Sequence, residues 1–129
     1  FMKIYISARF GKKQIVSEIY KKLHKLGHEI IGDWTQHKSV KPYDINKTVS
    51  REYAIQDLES VRKSDVFILI SDEAGTGMYV ELGAAISSNL EDGKPLIFVV
   101  GEHISRSMFY FHPSVKRVSN VEEVFNAIS

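Results

Sequence analysis

Asp65-Val66-Phe67-Ile68-Leu69-Ile70 opens on one charge and continues with five apolar residues in a row. A strand with one face in water alternates apolar and polar positions. A run without alternation is buried on both faces, as in the middle of a parallel sheet. Upstream, Lys3-Ile4-Tyr5-Ile6-Ser7-Ala8 is short, β-branched and aromatic, and reads as a first strand. From Lys12 to Leu26 the apolar residues Ile15, Val16, Ile19, Tyr20, Leu23 and Leu26 recur at helical spacing, and Gly27 supplies a stop. Glu29-Ile30-Ile31-Gly32 reads as a second, short strand. Thr48 or Ser50 is expected to cap a helix carrying Val49, Tyr53, Ile55, Leu58 and Val61. Downstream, a helix is expected from about Tyr79 to Asn89, and a fourth strand over Pro95–Val100. Val115–Val118 reads as an edge strand and Val121–Ile128 as the last helix.

Strands alternating with helices imply an α/β domain whose parallel sheet is covered on both sides. Five strands fit a three-layer, flavodoxin-like (Rossmann-like) fold with a mainly parallel sheet in the order 2-1-3-4-5. In such sheets ligands bind beyond the carboxyl ends of the strands, where the order reverses between strands 1 and 3. That rule brings the segments after Ala8 and after Ile70 side by side. A length of 129 residues suits one domain over 1–129.

Composition removes several function classes. Seventeen basic against sixteen acidic residues leave a net charge of +1, without the basic stripe of a nucleic-acid binder. The absence of cysteine excludes disulfides, Cys-ligated zinc and thiol catalysis. The five histidines lack metal-ligand spacing, so no metal and no cofactor is expected. No apolar run approaches the roughly 20 residues of a membrane span. The opening lacks a signal-peptide layout, so a soluble cytoplasmic protein is expected.

The chemistry concentrates after strand 3, in Ser71-Asp72-Glu73-Ala74-Gly75-Thr76-Gly77-Met78-Tyr79-Val80-Glu81-Leu82-Gly83. Gly75 and Gly77 let backbone approach a ligand closely. Glu81 falls within the expected first turn of the next helix, where the helix dipole favours the ionised carboxylate. Such a group at a sheet switch point can act as a nucleophile. Acidic residues are also common in first turns simply to complement the dipole. Gly83 is expected to allow close packing of the helix. Between strand 1 and its helix, Ser7 and Arg9 with free backbone N–H groups form a candidate anion site. Trp34, His37 and Tyr43, in the long connection from Asp33 to Lys47, are candidates for stacking on a base.

Met78-Tyr79-Val80-Glu81-Leu82-Gly83-Ala84-Ala85, with the opening Ile4-Tyr5-Ile6-Ser7-Ala8-Arg9-Phe10, resembles the nucleoside 2-deoxyribosyltransferase family. That family includes 2'-deoxynucleoside 5'-phosphate N-hydrolases. The resemblance runs from Lys3 to about Val100 and is most specific at Glu81-Leu82-Gly83. It implies that Glu81 is the catalytic nucleophile, that Asp57 holds and protonates the substrate, and that Tyr5 positions the nucleophile. Asp57 lies between Ile55 and Leu58, so its side could be buried or exposed. Tyr5 and Phe10 look like the transferase branch, whereas Ser7 and Arg9 look like the 5'-phosphate cradle of the hydrolase branch. Tyr79 stands where family members often carry glycine, and Asp72 or Glu73 stands nearest to a further transferase aspartate.

The loop Gly101–Pro113 is rich in aromatics, with Met108-Phe109-Tyr110-Phe111 consecutive. Two readings stand: the loop covers a neighbouring subunit's site, as the resemblance implies, or Phe109 and Phe111 plug the domain's own core. On the first reading the protein is a homodimer or larger homo-oligomer, and Ser105, Arg106 and Ser107 help bind phosphate. The substrate-binding candidates are therefore Ser7, Arg9, Phe10, Gly75, Gly77, Tyr79, Ser105 and Ser107. The function implied is cleavage of the N-glycosidic bond of a 2'-deoxynucleoside with transfer of the deoxyribosyl group to a free nucleobase acceptor. The alternative is hydrolysis of a 2'-deoxynucleoside 5'-monophosphate to base and deoxyribose 5-phosphate. Toll/interleukin-1-receptor-type domains share the architecture, which keeps NAD cleavage open, and a non-catalytic nucleotide-binding domain is a further alternative.

Overall fold

The structure, a computed structural model, describes all of residues 1–129. Five strands, β1 (Lys3–Ser7), β2 (Glu29–Ile30), β3 (Val66–Ile70), β4 (Leu96–Val100) and β5 (Val115–Val118), form one sheet in the order β2-β1-β3-β4-β5. Every pairing is parallel, so the sheet is wholly rather than mainly parallel. The helices are α1 (Lys13–Lys25), α2 (Lys47–Lys63), α3 (Gly77–Asp92) and α4 (Val121–Ile128). This is the three-layer, flavodoxin-like arrangement expected from the strand pattern. Val66, Phe67, Ile68 and Leu69 have no exposed surface, as an unalternated central strand requires. Right-handed crossovers put α1 on one face and α2 and α3 on the other, and α2 packs directly on α3. No helix is long and apolar enough to cross a membrane.

Element ends depart from expectation in ways that bear on the site. β2 stops at Ile30 instead of Gly32, because Gly32 takes a left-handed φ of 65° and turns the chain out of the sheet. Beyond Ile4, β1 therefore has no strand on that side. Side chains take over: the Ile6 N–H donates to the Tyr20 hydroxyl at 3.0 Å, and the Trp34 indole N–H donates to the Ile6 carbonyl at 2.6 Å. Buried backbone groups need such partners. Trp34 is thus a core residue and is not free to stack on a base.

α2 starts at Lys47, so neither Thr48 nor Ser50 caps it; both lie inside the helix. Of its expected apolar stripe only Val61 is buried, and Ile55 is 54% exposed. Ile15 on α1 is likewise exposed. α3 starts at Gly77 and runs to Asp92, longer than expected at both ends, and stops at Gly93 in the left-handed region. α4 follows Asn120, whose side chain accepts from the Glu123 N–H while Glu123 returns a bond to the Asn120 backbone.

Candidate active site

Met78, Leu82 and Ala85 are the buried residues of α3, at the spacing of one helix face. Glu81 shares that inward face, one turn after Met78 and one turn before Ala85. Its carboxylate reaches the end of β1 and accepts two hydrogen bonds, from the Tyr5 hydroxyl at 2.8 Å and from the Ser7 hydroxyl at 2.5 Å. Tyr5 and Ser7 are successive same-side residues of β1, as the strand period demands, and both are fully buried. The Tyr5 ring also stacks on Phe67 of β3, with ring centroids 6.1 Å apart. The two donors are therefore fixed by the core.

Glu81 sits one turn inside α3, because the helix begins earlier than expected; no acidic residue occupies its first turn. Helix-dipole stabilisation of its charge falls away over that distance. Burial pushes the carboxyl up from its ordinary 4.5 to about 7, the Ser7 and Tyr5 hydrogen bonds pull it back down, and the charge of Asp57 adds to the rise. The group is therefore poised near neutrality rather than firmly ionised. Burial, and then the same carboxylate, push Tyr5 well above its ordinary value, so Tyr5 stays a donor.

Asp57 lies on α2 one turn before the buried Val61 and is half-buried, near enough for its charge to act on Glu81. Burial raises its carboxyl and the nearby His37 lowers it. Asp57 lines an open groove of about 470 Å³, with Ile31, Gly32, Asp33, His37 and Ser60 among its walls. That volume is in the range of small-molecule sites, about 300–1,000 Å³. Glu81 does not line this groove. Tyr5 connects the two: its hydroxyl is on Glu81, and its ring edge backs Gly32, where a Cβ would come within 3.1 Å of Tyr5 Cε2. His37 lies face to face on Tyr53, with centroids 3.8 Å apart at 6°. Tyr43 is exposed beside Lys41.

The remaining candidates divide. The Ser7 hydroxyl is committed to Glu81 rather than open to an anion. Arg9 is drawn to Asp72, its Nε donating at 3.0 Å. Phe10 is partly exposed against Trp34, with Lys13 over its ring. Gly75 has φ 100° and lies beside Arg9 and Met78, whereas Gly77 faces open space. Gly83 is also open, with nothing near the position of a Cβ, so it does not serve close packing. Tyr79 stacks on Tyr110, centroids 5.9 Å apart, which ties α3 to the loop after β4. Ser107 caps the turn Met108–Phe111 by accepting from the Phe109 N–H, and Ser105 lies 3.5 Å from Arg117 Nη1.

In that turn it is Tyr110 that fills the core, while Phe109 and Phe111 remain more than half exposed. The expectation that those two phenylalanines plug the core is corrected: four residues of a tight turn cannot all face inward, and the middle ring takes the space. Phe111 instead carries the Arg117 guanidinium 3.9 Å above its ring. Reading the sequence missed Asp33 and Ser60 as groove walls and Asp72 as the partner of Arg9. A glycine followed by aspartate just beyond a strand was the available signal for the first.

Comparison of the chain with family models, with curated proteins and with solved structures gave no match in any of the three.

Proposed function

We propose that the protein cleaves the N-glycosidic bond of 2'-deoxynucleosides and passes the deoxyribosyl group to another base, with Glu81 as nucleophile. The observation that carries this reading is the part-buried carboxylate of Glu81, held by Tyr5 and Ser7 at the sheet's switch point, with the charge of a second carboxyl, Asp57 on the groove wall, acting on it. Glycosidic cleavage uses such a pair: one carboxylate meets the positive charge developing at the anomeric carbon, and one carboxylic acid protonates the leaving group.

In the first step an oxygen of Glu81 bonds to C1' as the bond from C1' to the base nitrogen breaks. The reacting form of the pair carries a single proton, on Asp57, and its charge on Glu81; the electron pair leaves with the base, and Asp57 gives the base that proton. Tyr5 and Ser7 hold the attacking carboxylate in one orientation, which reduces the entropy lost on the way to the transition state. In the second step an acceptor base attacks C1', Glu81 leaves as carboxylate, and Asp57 takes the acceptor's proton. Water in place of the acceptor gives hydrolysis. Arg9 and Lys12 beside the switch point support a second reading, in which the substrate is a 2'-deoxynucleoside 5'-monophosphate and water is the acceptor.

Incubation with a deoxynucleoside and a different free base, then with deoxynucleoside monophosphates alone, separates the readings by chromatography. Base exchange supports transfer, and deoxyribose 5-phosphate supports hydrolysis. Nicotinamide release from NAD, or tight binding without turnover, would replace both. Full activity of Glu81→Gln in every assay overturns the proposal.

A further inference from the structure

The two cations of the connection from β1 to α1 are both turned onto one carboxylate. Arg9 Nε donates to Asp72 Oδ2 at 3.0 Å, and Lys12 Nζ lies 3.8 Å from the same oxygen. The other oxygen, Oδ1, accepts from the Ala74 N–H at 3.2 Å, which pins Asp72 to its own loop. Asp72 is 9% exposed, while the Arg9 side chain remains 43% exposed. Arg9 is also wedged between glycines: a Cβ at Gly11 would meet its Nη1 at 2.7 Å, and one at Gly75 would meet its Cβ at 3.4 Å. Ser7, the other polar group of the β1 end, is fully buried and spent on Glu81.

We infer that Asp72 is a built-in occupant of the anion position at the switch point, and that it makes the site select a neutral deoxynucleoside over its 5'-monophosphate. The inference rests on the N-glycosidic reading of the site and names its substrate class. A phosphate arriving at Arg9 must either displace Asp72 or sit beside it. Displacement strands a largely buried carboxylate without its cations, which is strongly unfavourable. Coexistence leaves two anions sharing the same two cations, Arg9 and Lys12, and like charges held that close discriminate against the wrong ligand. The Ala74 N–H bond to Oδ1 opposes any swing of the carboxylate away from Arg9. A neutral 5'-hydroxyl meets neither obstacle.

The opposite arrangement is physically possible: Asp72 could hold Nε so that the free edge of the guanidinium faces a phosphate. The two predict opposite signs. Binding of inorganic phosphate, of a deoxynucleoside and of its 5'-monophosphate is measured by calorimetry for the unaltered protein, Asp72→Asn, Arg9→Ala and the double variant. Asparagine keeps an acceptor for Ala74, and Asp72→Ser gives a second neutral variant with a short hydroxyl for the same turn. Asp72→Asn is expected to tighten inorganic phosphate and the monophosphate by about tenfold or more relative to the nucleoside. Adding Arg9→Ala is expected to cancel that gain, whereas Arg9→Ala alone changes phosphate binding little. Unchanged or weakened phosphate binding in both Asp72 variants overturns the inference, as does a preference of the unaltered protein for the monophosphate. These measurements need no turnover. Absence of Glu81-dependent cleavage therefore sinks the proposed function, while the phosphate-binding cycle still decides the role of Asp72.

Discussion

Tyr5 and Glu81 stand 76 residues apart in the chain and meet at 2.8 Å, a hydrogen bond from the second residue of β1's buried run to the inward face of α3. Its donor cannot ionise near neutrality, since burial and the adjacent carboxylate both raise the phenol. The bond therefore acts in one direction only, favouring the charged form of Glu81. Its removal should be visible as a change in where that carboxyl titrates.

Tyr5→Phe keeps the ring on Phe67 and deletes the donor. A hydrogen bond to a charged group contributes about 1.5–3 kcal/mol, which corresponds to about one to two pH units. For the proposed reaction, an acid limb of the pH–rate profile set by ionisation of Glu81 near 7 is expected to move to higher pH by that amount. Ser7→Ala should move it the same way, since that hydroxyl also lowers the carboxyl. A profile unmoved in both variants would show that Glu81 does not set the limb.

The raised carboxyl also fixes a pH dependence of stability. The folded protein keeps the Glu81 proton up to about 7, while the unfolded chain releases it near the ordinary 4.5. Between those values the native state binds more protons, so stability falls as pH rises, and the loss is complete above about 7. It amounts to at most about 3 kcal/mol. Glu81→Gln removes that charge. Its melting temperature is expected to exceed that of the unaltered protein at pH 8 and to converge with it near pH 4.5. Parallel melting curves across that window would place the carboxyl at its ordinary value.

Asp57→Asn should abolish proton delivery to the leaving base while leaving the Tyr5–Glu81–Ser7 contacts in place. General acid catalysis contributes about 10²–10⁴-fold. A fall of that size in kcat is expected for ordinary deoxynucleosides, and a smaller one for a deoxyriboside whose leaving group departs without a proton. An equal fall for both substrates would point to a purely structural role.

Gly83 is in the interior of α3 with open space where a Cβ would be. Gly83→Ala is expected to stabilise the chain by about 0.5–1 kcal/mol in chemical denaturation, because glycine weakens a helix interior by that much. Destabilisation instead would mean that a second molecule packs against this surface.

The sheet order was legible because Val66–Ile70 lacks alternation and because helical stripes separate the strands; those are long-range consequences of local pattern. The partners of Glu81 were legible in part. Tyr5 was assigned to the nucleophile from resemblance, whereas Ser7 was assigned to an anion, since nothing in the chain says which of two nearby acceptors a hydroxyl will choose. The helix starts were misread for a simpler reason. Asn46 and Thr76 hold the N-cap positions of α2 and α3 without making a capping hydrogen bond, while Thr48 and Ser50, which also read as caps, lie inside α2. Phe109 and Phe111 looked like core by composition, but core space is set by what the sheet leaves open, and Tyr110 takes it.

The early end of β2 at Ile30, before Gly32, has a consequence for how this protein can change over evolutionary time. The Glu81 carboxylate is anchored to an inner strand whose residues cannot vary without disturbing the hydrophobic interior. The groove wall formed by Ile31, Gly32, Asp33 and His37 lies outside the sheet. Substitutions in that wall can therefore reshape the groove while the Tyr5–Glu81–Ser7 cluster is inherited intact.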